Sequence, residues 1–318
     1  MCIRDSYASA ISLLDQGIST LNSANSGSIP EDIYFNGNKA NWIAAANTLK
    51  ARFYLHQKDY TNAFAAAQNG ISSASGDMMY KPGNAASGDN NLFWTILEGS
   101  RSGDIGNSVD GVESYLIQML DSGNAFSRNN AKTDETARKA YYTINSSTGS
   151  SNSGIIEENE PQNMVTYFEN QLILAESAAR NGSLADGLPY LNNVRAWMNT
   201  GGHINSNFQD QTYSYLAYDA ADFDNGGIEN ADGIDSKTAF LREVIEERYV
   251  SGFGTYMPFN DHRRLRGAGE TNLIPPFPLN TSAASQHVER MPWSQDELTS
   301  NSTVSEDPGL YAKTEVNK

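Results

Sequence analysis

Apolar residues recur at helical spacing almost from the first residue of this chain. Tyr7, Ala10, Ile11, Leu14, Ile18 and Leu21 mark one face of an opening helix. A polar loop from Asn25 to Asn38, with Gly27, Pro30 and Gly37, precedes a second face made by Trp42, Ala45, Ala46, Leu49, Phe53 and Tyr54. Gln57-Lys58-Asp59 turns the chain, and Tyr60 to Ile71 predicts a return helix closing near Gly70. Asn91 to Trp94 reads as the start of a short extended segment, and Val112 to Leu120 as a helix. A helical pair follows, with Val165, Tyr167, Leu172, Leu174, Ala175 and Ala178 on the first helix and Leu184 to Trp197 as the second. Asn181-Gly182 is the turn between them. From Phe240 to Tyr249 the spacing predicts a helix with Leu241, Val244, Ile245 and Tyr249 inward and its charges outward. The stretches Asn145–Gly154, Thr200–Asp235 and Pro275 onward read as loops. No alternation of period two runs long enough for a large sheet.

The two hairpins share a pattern 124 positions apart. Ala51, Tyr54, Tyr60 and Ala63 match Ala175, Ala178, Leu184 and Gly187, with Phe64 opposite Leu188 and Ala67 opposite Leu191. Paired helices with small residues at their crossings resemble tetratricopeptide-like units, which bind and scaffold. The expected fold is mainly α, built of such hairpins with long irregular loops that carry ligand binding.

At 318 residues the chain is long enough for one large or two ordinary domains. A net charge of -16 argues against nucleic acid and against electrostatic attachment to anionic lipid. Asn, Ser, Gly and Tyr are abundant, as in secreted, loop-rich binding proteins. Cys2 is the only cysteine, so neither an intrachain disulfide nor an all-cysteine metal site can form. No run has the roughly 18 to 20 apolar residues of a membrane helix. A chain that opens inside a helix, without a signal peptide, implies that the true N-terminus is missing. Met1 to Ser6 fits nothing around it and reads as an assembly or translation scar. Cys2 has no apolar region before it and is assigned no lipid-anchor role.

Several runs resemble the SusD/RagB family, and in that family's order. They are Met164 to Asn170 leading into Leu174 to Arg180, then Leu191-Asn192-Asn193-Val194-Arg195, then Leu241 to Tyr249 followed by Phe259 to Arg264. Pro276-Phe277-Pro278-Leu279-Asn280, Glu289 to Trp293 and Glu297-Leu298 resemble its closing pattern. The resemblance implies a single SusD/RagB-like domain over residues 1–318, lacking its N-terminal part and covering roughly the last two-thirds of a full member. It further implies a lipoprotein on the outer face of the outer membrane, its anchor absent from this chain. Such proteins bind an oligosaccharide or other nutrient and act as the lid of a SusC-type TonB-dependent transporter. Helices would form the scaffold and partner side, and loops the ligand side. No cofactor is implied.

Sugar binding needs flat apolar faces for pyranose C–H groups and planar polar groups for hydroxyls. Trp94, with Arg101 and Asp104 close behind, offers both, or else Trp94 is a core residue. Tyr213, Tyr215 and Tyr218 lie in irregular chain, either as ligand platforms or packed on the scaffold. Trp42 and Trp197 sit on helix faces and read as core, and Trp293 as a staple for the tail. The acidic loop 222–235 could supply oxygens to calcium but breaks the EF-hand rule at Gly226 and Gly233, so it reads as a solvated loop and no metal is expected. Glu246 and Glu247 have Arg242 and Arg248 as neighbours for ion pairing, and His262 reads as part of a polar network tying its helix to the tail. The four histidines make no HExxH, and neither a G-x-S-x-G elbow nor a phosphate loop is present. Three readings follow: a non-enzymatic nutrient-binding lid, a helical glycoside hydrolase, and a helical-repeat adaptor for protein alone.

Overall fold

The computed structural model describes residues 3–25, 27–83, 89–97, 114–144, 154–276, 279, 285–303 and 307–318. The chain starts with α1 (Ile3–Ser23), α2 (Lys39–His56) and α3 (Tyr60–Ala67). Three short helices follow, α4 (Leu92–Leu97), α5 (Tyr115–Leu120) and α6 (Thr136–Tyr142). Next come α7 (Tyr167–Asn181) and α8 (Leu184–Met198), then α9 (Ser236–Ser251), α10 (Met257–Gly267) and α11 (Gln295–Ser300). Two antiparallel ladders are the only sheets among the described residues. β1 (Met78–Tyr80) pairs with β3 (Gln162–Val165), and β2 (Thr133–Asp134) with β4 (Ser214–Tyr215). The fold is mainly α, as the periodicity predicts.

The repeat holds down to helix starts, since α3 begins at Tyr60 and α8 at Leu184. The hairpins α2–α3 and α7–α8 stack through α3 against α7. Small residues make that stacking possible: Ala51, Ala63, Ala67, Ala175 and Ala179 are buried at the crossings. At Gly187 a Cβ would lie 2.5 Å from the Ala175 carbonyl oxygen and 2.8 Å from the Phe240 ring. α7 is therefore enclosed, and every residue from Phe168 to Ala179 is buried. Its polar side chains are paired rather than exposed. Glu169 takes the Arg52 fork at 2.5 Å, and Asn170 donates to the Ala67 and Ile71 carbonyls at 2.9 and 3.1 Å. The side chain of Asn170 thus ends the first hairpin, and α3 stops at Ala67 instead of running on to Ile71.

α9 departs from the sequence pattern most. Its apolar residues point inward as expected, but Glu243, Glu247 and Arg248 are buried with them. Arg128 reaches Glu243 and Glu247, both at 2.8 Å, and Arg138 reaches Glu247 at 2.7 Å and Glu135 at 2.5 Å. Arg248 pairs with Asp261 at 2.6 Å, while Arg264 joins Asp261 at 2.8 Å to Glu176 at 2.6 Å. The pairs expected along the helix do not form, because Arg242 is held by Asp232 at 2.7 Å and Arg248 by Asp261. Long-range partners win: a buried charge needs a matching charge in fixed geometry, which α10, α6 and the Arg128 loop supply.

Asn91 to Trp94 is not extended. The Asn91 side chain accepts from the amides of Phe93 and Trp94 at 2.8 and 3.3 Å and so starts α4. The tail is more than a loop, since it contains α11 and returns Val316 and Asn317 to buried positions beside α10. His262 does meet the tail, its ring 4.7 Å from that of His287. The tract at 145–153 lies outside the described residues.

Gly187→Ala is expected to cost roughly 1–3 kcal/mol, because the added methyl overpacks the crossing. Gly17→Ala in α1, where nothing lies within 4 Å of the new Cβ, is expected to gain up to about 1 kcal/mol from helix propensity. Urea denaturation of the two variants reads both signs. Arg138→Met, which leaves Glu135 and Glu247 buried without that partner, is expected to cost roughly 3–5 kcal/mol in the same assay.

Candidate functional site

Loops together with faces of α1, α2, α7 and α10 border a hollow with two lobes, which share Gln162, Asn163, Gly254 and Thr255 in their linings. The inner lobe has a volume of about 340 Å³, and Phe93, Tyr141, Tyr142, Trp197, His203 and Phe253 supply its rings. Asp77, Glu160, Gln162, Asn163 and Asn205 supply its polar groups. The outer lobe, about 940 Å³, is lined by Tyr7, Tyr34, Phe53, Tyr80 and Tyr256 together with Arg52 and Asn260. Tyr256 stands 70% exposed at its rim.

Each wall is held by a regular element. Trp197 sits in the last turn of α8, half-buried, with its ring parallel to Phe168 at 6.0 Å and edge-on to Tyr167 at 5.9 Å. α6 brings Tyr141 and Tyr142 together. The Tyr141 hydroxyl donates to Glu160 at 2.8 Å, and the Tyr142 hydroxyl meets His203 Nε2 at 2.6 Å. Asn205 donates to the other Glu160 oxygen at 3.0 Å. The Asn91 amide donates to the carbonyls of Ile155 and Glu160, fixing the segment before β3. Gly254 has φ +79°, and a Cβ there would come within 2.9 Å of the Phe93 ring, so this turn closes on α4 only with glycine.

Burial sets the charge states. It raises the Glu160 carboxyl against its hydrogen bonds from Asn205 and Tyr141. For Asp77, burial raises the pKa to about 7, the Glu169 charge adds to the rise, and the Tyr167 amide opposes it. His203 falls to about 4, first through burial and then through Arg138, so it is neutral at pH 7. In the outer lobe, burial would lower the Arg52 pKa, but Glu169 raises it.

The residues singled out from sequence fall in different places. Trp94 is half-buried on α4, beside Leu92 of the outer lobe and Phe93 of the inner lobe, and lines neither. Arg101 and Asp104 lie outside the described residues. Tyr213 packs half-buried against two core clusters. Tyr215 and Tyr218 are core residues, only 2% and 4% exposed. β4 pairs with β2 and turns Tyr215 inward, where its hydroxyl donates to Glu135 at 2.8 Å. The Tyr218 hydroxyl meets Thr133 and Glu229, and Arg195 covers its ring at 3.7 Å. Both rings are thus committed to the scaffold and leave no face for a ligand.

The acidic loop is largely solvated, as expected, with Asp224, Asp232 and Asp235 exposed, and its carboxylates are engaged one by one. Asp222 pairs with Lys132 and Asp232 with Arg242, while Asp235 caps α9 through the Thr238 amide. No group of three or more metal-ligating side chains occurs among the described residues. Trp42 donates its indole N–H to Asp32 at 2.7 Å, and Arg290 lies 5.9 Å over the Trp293 ring. Trp197 packs against the core, as its helix face predicts, and it also lines the inner lobe, which the sequence reading did not anticipate. Its position one turn before the Gly201-Gly202 break and His203 was the available signal.

The chain matches the SusD-like family, described as starch-binding and associating with the outer membrane, over residues 4–266, and it belongs to that family. That description is of binding, not of catalysis. Solved structures share the fold at low identity. A SusD/RagB family protein from Bacteroides thetaiotaomicron is 19% identical with a TM-score of 0.58, covering 94% of this chain and 68% of its own. A chitin-binding SusD homologue from Flavobacterium johnsoniae is 18% identical at TM-score 0.57, with the same coverage of 94% and 68%. A SusD homologue from Bacteroides uniformis is 15% identical at TM-score 0.59 and covers 99% of this chain and 73% of its own. No curated protein matches by sequence.

Asp77 makes a pH-dependent contribution with a definite sign. Its pKa is 3.8 ordinarily and about 7 in the fold, so the folded state holds the proton more tightly. Its contribution to stability therefore falls as pH rises through that window. Asp77→Asn removes this dependence. The variant is expected to gain roughly 1–3 kcal/mol on the parent between about pH 4 and pH 8, read by urea denaturation of both proteins across that range.

Proposed function

We propose that this protein binds a glycan in the two-lobed hollow without transforming it, at the outer face of the outer membrane. In this reading it is the lid of a SusC-type TonB-dependent transporter, held at the membrane by a lipid anchor of the full-length protein. The observation that carries the reading is the convergence of Trp197, Tyr142, Phe93 and Phe253 with the amides of Gln162, Asn163 and Asn205 on one cavity. Aromatic rings offer pyranose C–H faces a large rigid surface, and planar amides match vicinal hydroxyls. The family's description as starch-binding and the chitin-binding relative support a glycan as the ligand class. The stacked hairpins support a scaffold role for the helices, with their outer faces free to meet the transporter.

Affinity gels with soluble starch, chitin oligomers and other polysaccharides test this reading. Retention without release of reducing ends is expected, whereas released ends would contradict a binding role. Trp197→Ala is expected to weaken retention about ten-fold or more. Asn163→Ala, which leaves the Trp197–Phe168 stack intact, should weaken it less, and Trp94→Ala least. Unchanged retention in both the Trp197 and Asn163 variants would place the ligand elsewhere.

A further inference from the structure

We infer that the inner lobe selects uncharged sugar residues and turns away those bearing uronate or sulfate, and that Asp77 sets this preference. The inference rests on the glycan-binding reading and names the class of glycan that this cavity accepts.

Among the described residues lining the inner lobe, the carboxylates and imidazole are Asp77, Glu160 and His203, the phenols of Tyr141 and Tyr142 stay protonated because burial raises them, and none is lysine or arginine. The histidine offers no positive charge at neutral pH, since burial and Arg138 keep its ring unprotonated. Glu160 has both oxygens occupied, one by the Tyr141 hydroxyl and one by Asn205. Asp77 differs. Its Oδ1 accepts from the Tyr167 amide at 2.6 Å, while Oδ2 has no hydrogen-bond partner among the described residues. Among the described residues lining the lobe, that oxygen is the carboxylate acceptor left over for a ligand.

The surroundings of Asp77 do not offset its charge. Glu169 on α7 adds a second negative field, and the nearby Arg52 guanidinium is already forked onto Glu169. A sugar hydroxyl can donate to Oδ2 whichever way the carboxyl is protonated. A uronate or sulfate has no proton to give and brings a further negative charge into a partly desolvated, cation-free space. The net charge of -16 on the whole chain also opposes approach of an anionic polymer.

The test uses the chain as it stands and matched probes: maltohexaose and chitohexaose, and the maltohexaose chain oxidised at C6 to uronates. Titration calorimetry is done at about pH 8, where Asp77 is ionised, and at low salt. A neutral hexasaccharide is expected to bind at least about ten-fold more tightly than the oxidised one. Asp77→Asn, which keeps an acceptor for the Tyr167 amide, is expected to shrink that ratio several-fold, as is added salt. Equal affinity for neutral and oxidised chains would overturn the inference while leaving glycan binding in place. A ratio unmoved by Asp77→Asn would overturn the assignment to Asp77. If neither neutral probe nor the oxidised chain binds, the glycan reading fails and this inference with it.

Discussion

The structure depends on α9 carrying charges into the protein instead of away from it. Glu243, Glu247, Arg248 and Ser251 are buried on a helix whose apolar residues are buried as well. Taking such groups out of water costs several kcal/mol each, and only matched partners in good geometry offset it. Burial works against ionisation of Glu247, yet Arg138 and Arg128 overcome it and hold the carboxyl below the usual range. On the other side, Arg248, Asp261, Arg264 and Glu176 form a chain from α9 through α10 into the enclosed α7. Moving any one member would strand a buried charge, so irregular segments far apart in sequence are held in one arrangement.

The site inherits its rigidity from that arrangement. Arg138 belongs to α6, which also carries Tyr141 and Tyr142 into the inner lobe. Ser251, which donates to Glu247, lies just before the Phe253–Thr255 turn that closes the lobe. Trp197 is fixed from the hairpin side by its stack on Phe168 of α7. A ligand made mostly of hydroxyls gains little from each contact, because each replaces a contact with water. Walls held in place before binding reduce the entropy lost on association, which is where such a site gains affinity.

The helical frame was legible because spacing reports burial on regular elements. The 124-position repeat located both hairpins and the starts of their return helices, and the small residues at 51, 63, 175 and 187 marked where helices cross. Polar residues misled in both directions. The charges of α9 read as solvent-facing because helical periodicity says nothing about partners at 115 or 119 positions' distance, as Arg128 has in Glu243 and Glu247. Tyr215 and Tyr218 read as candidates because they lie in irregular chain, yet a two-residue ladder and a buried arginine draw them into the core. Trp197 was half legible, since it does pack against the core. Its helical register looked like core, and only the loops that return at 74–79, 155–163 and 202–205 turn its surroundings into a cavity. A cavity assembled from six separate segments leaves little trace in local pattern.

A crystal structure of the protein with a bound neutral oligosaccharide tests the central claim most directly. The account predicts sugar rings in the hollow, one against the aromatic wall that includes Trp197 and Tyr142, with hydroxyls on Gln162, Asn163 and Asp77. Sugar bound elsewhere on the molecule, with this hollow empty, would contradict it.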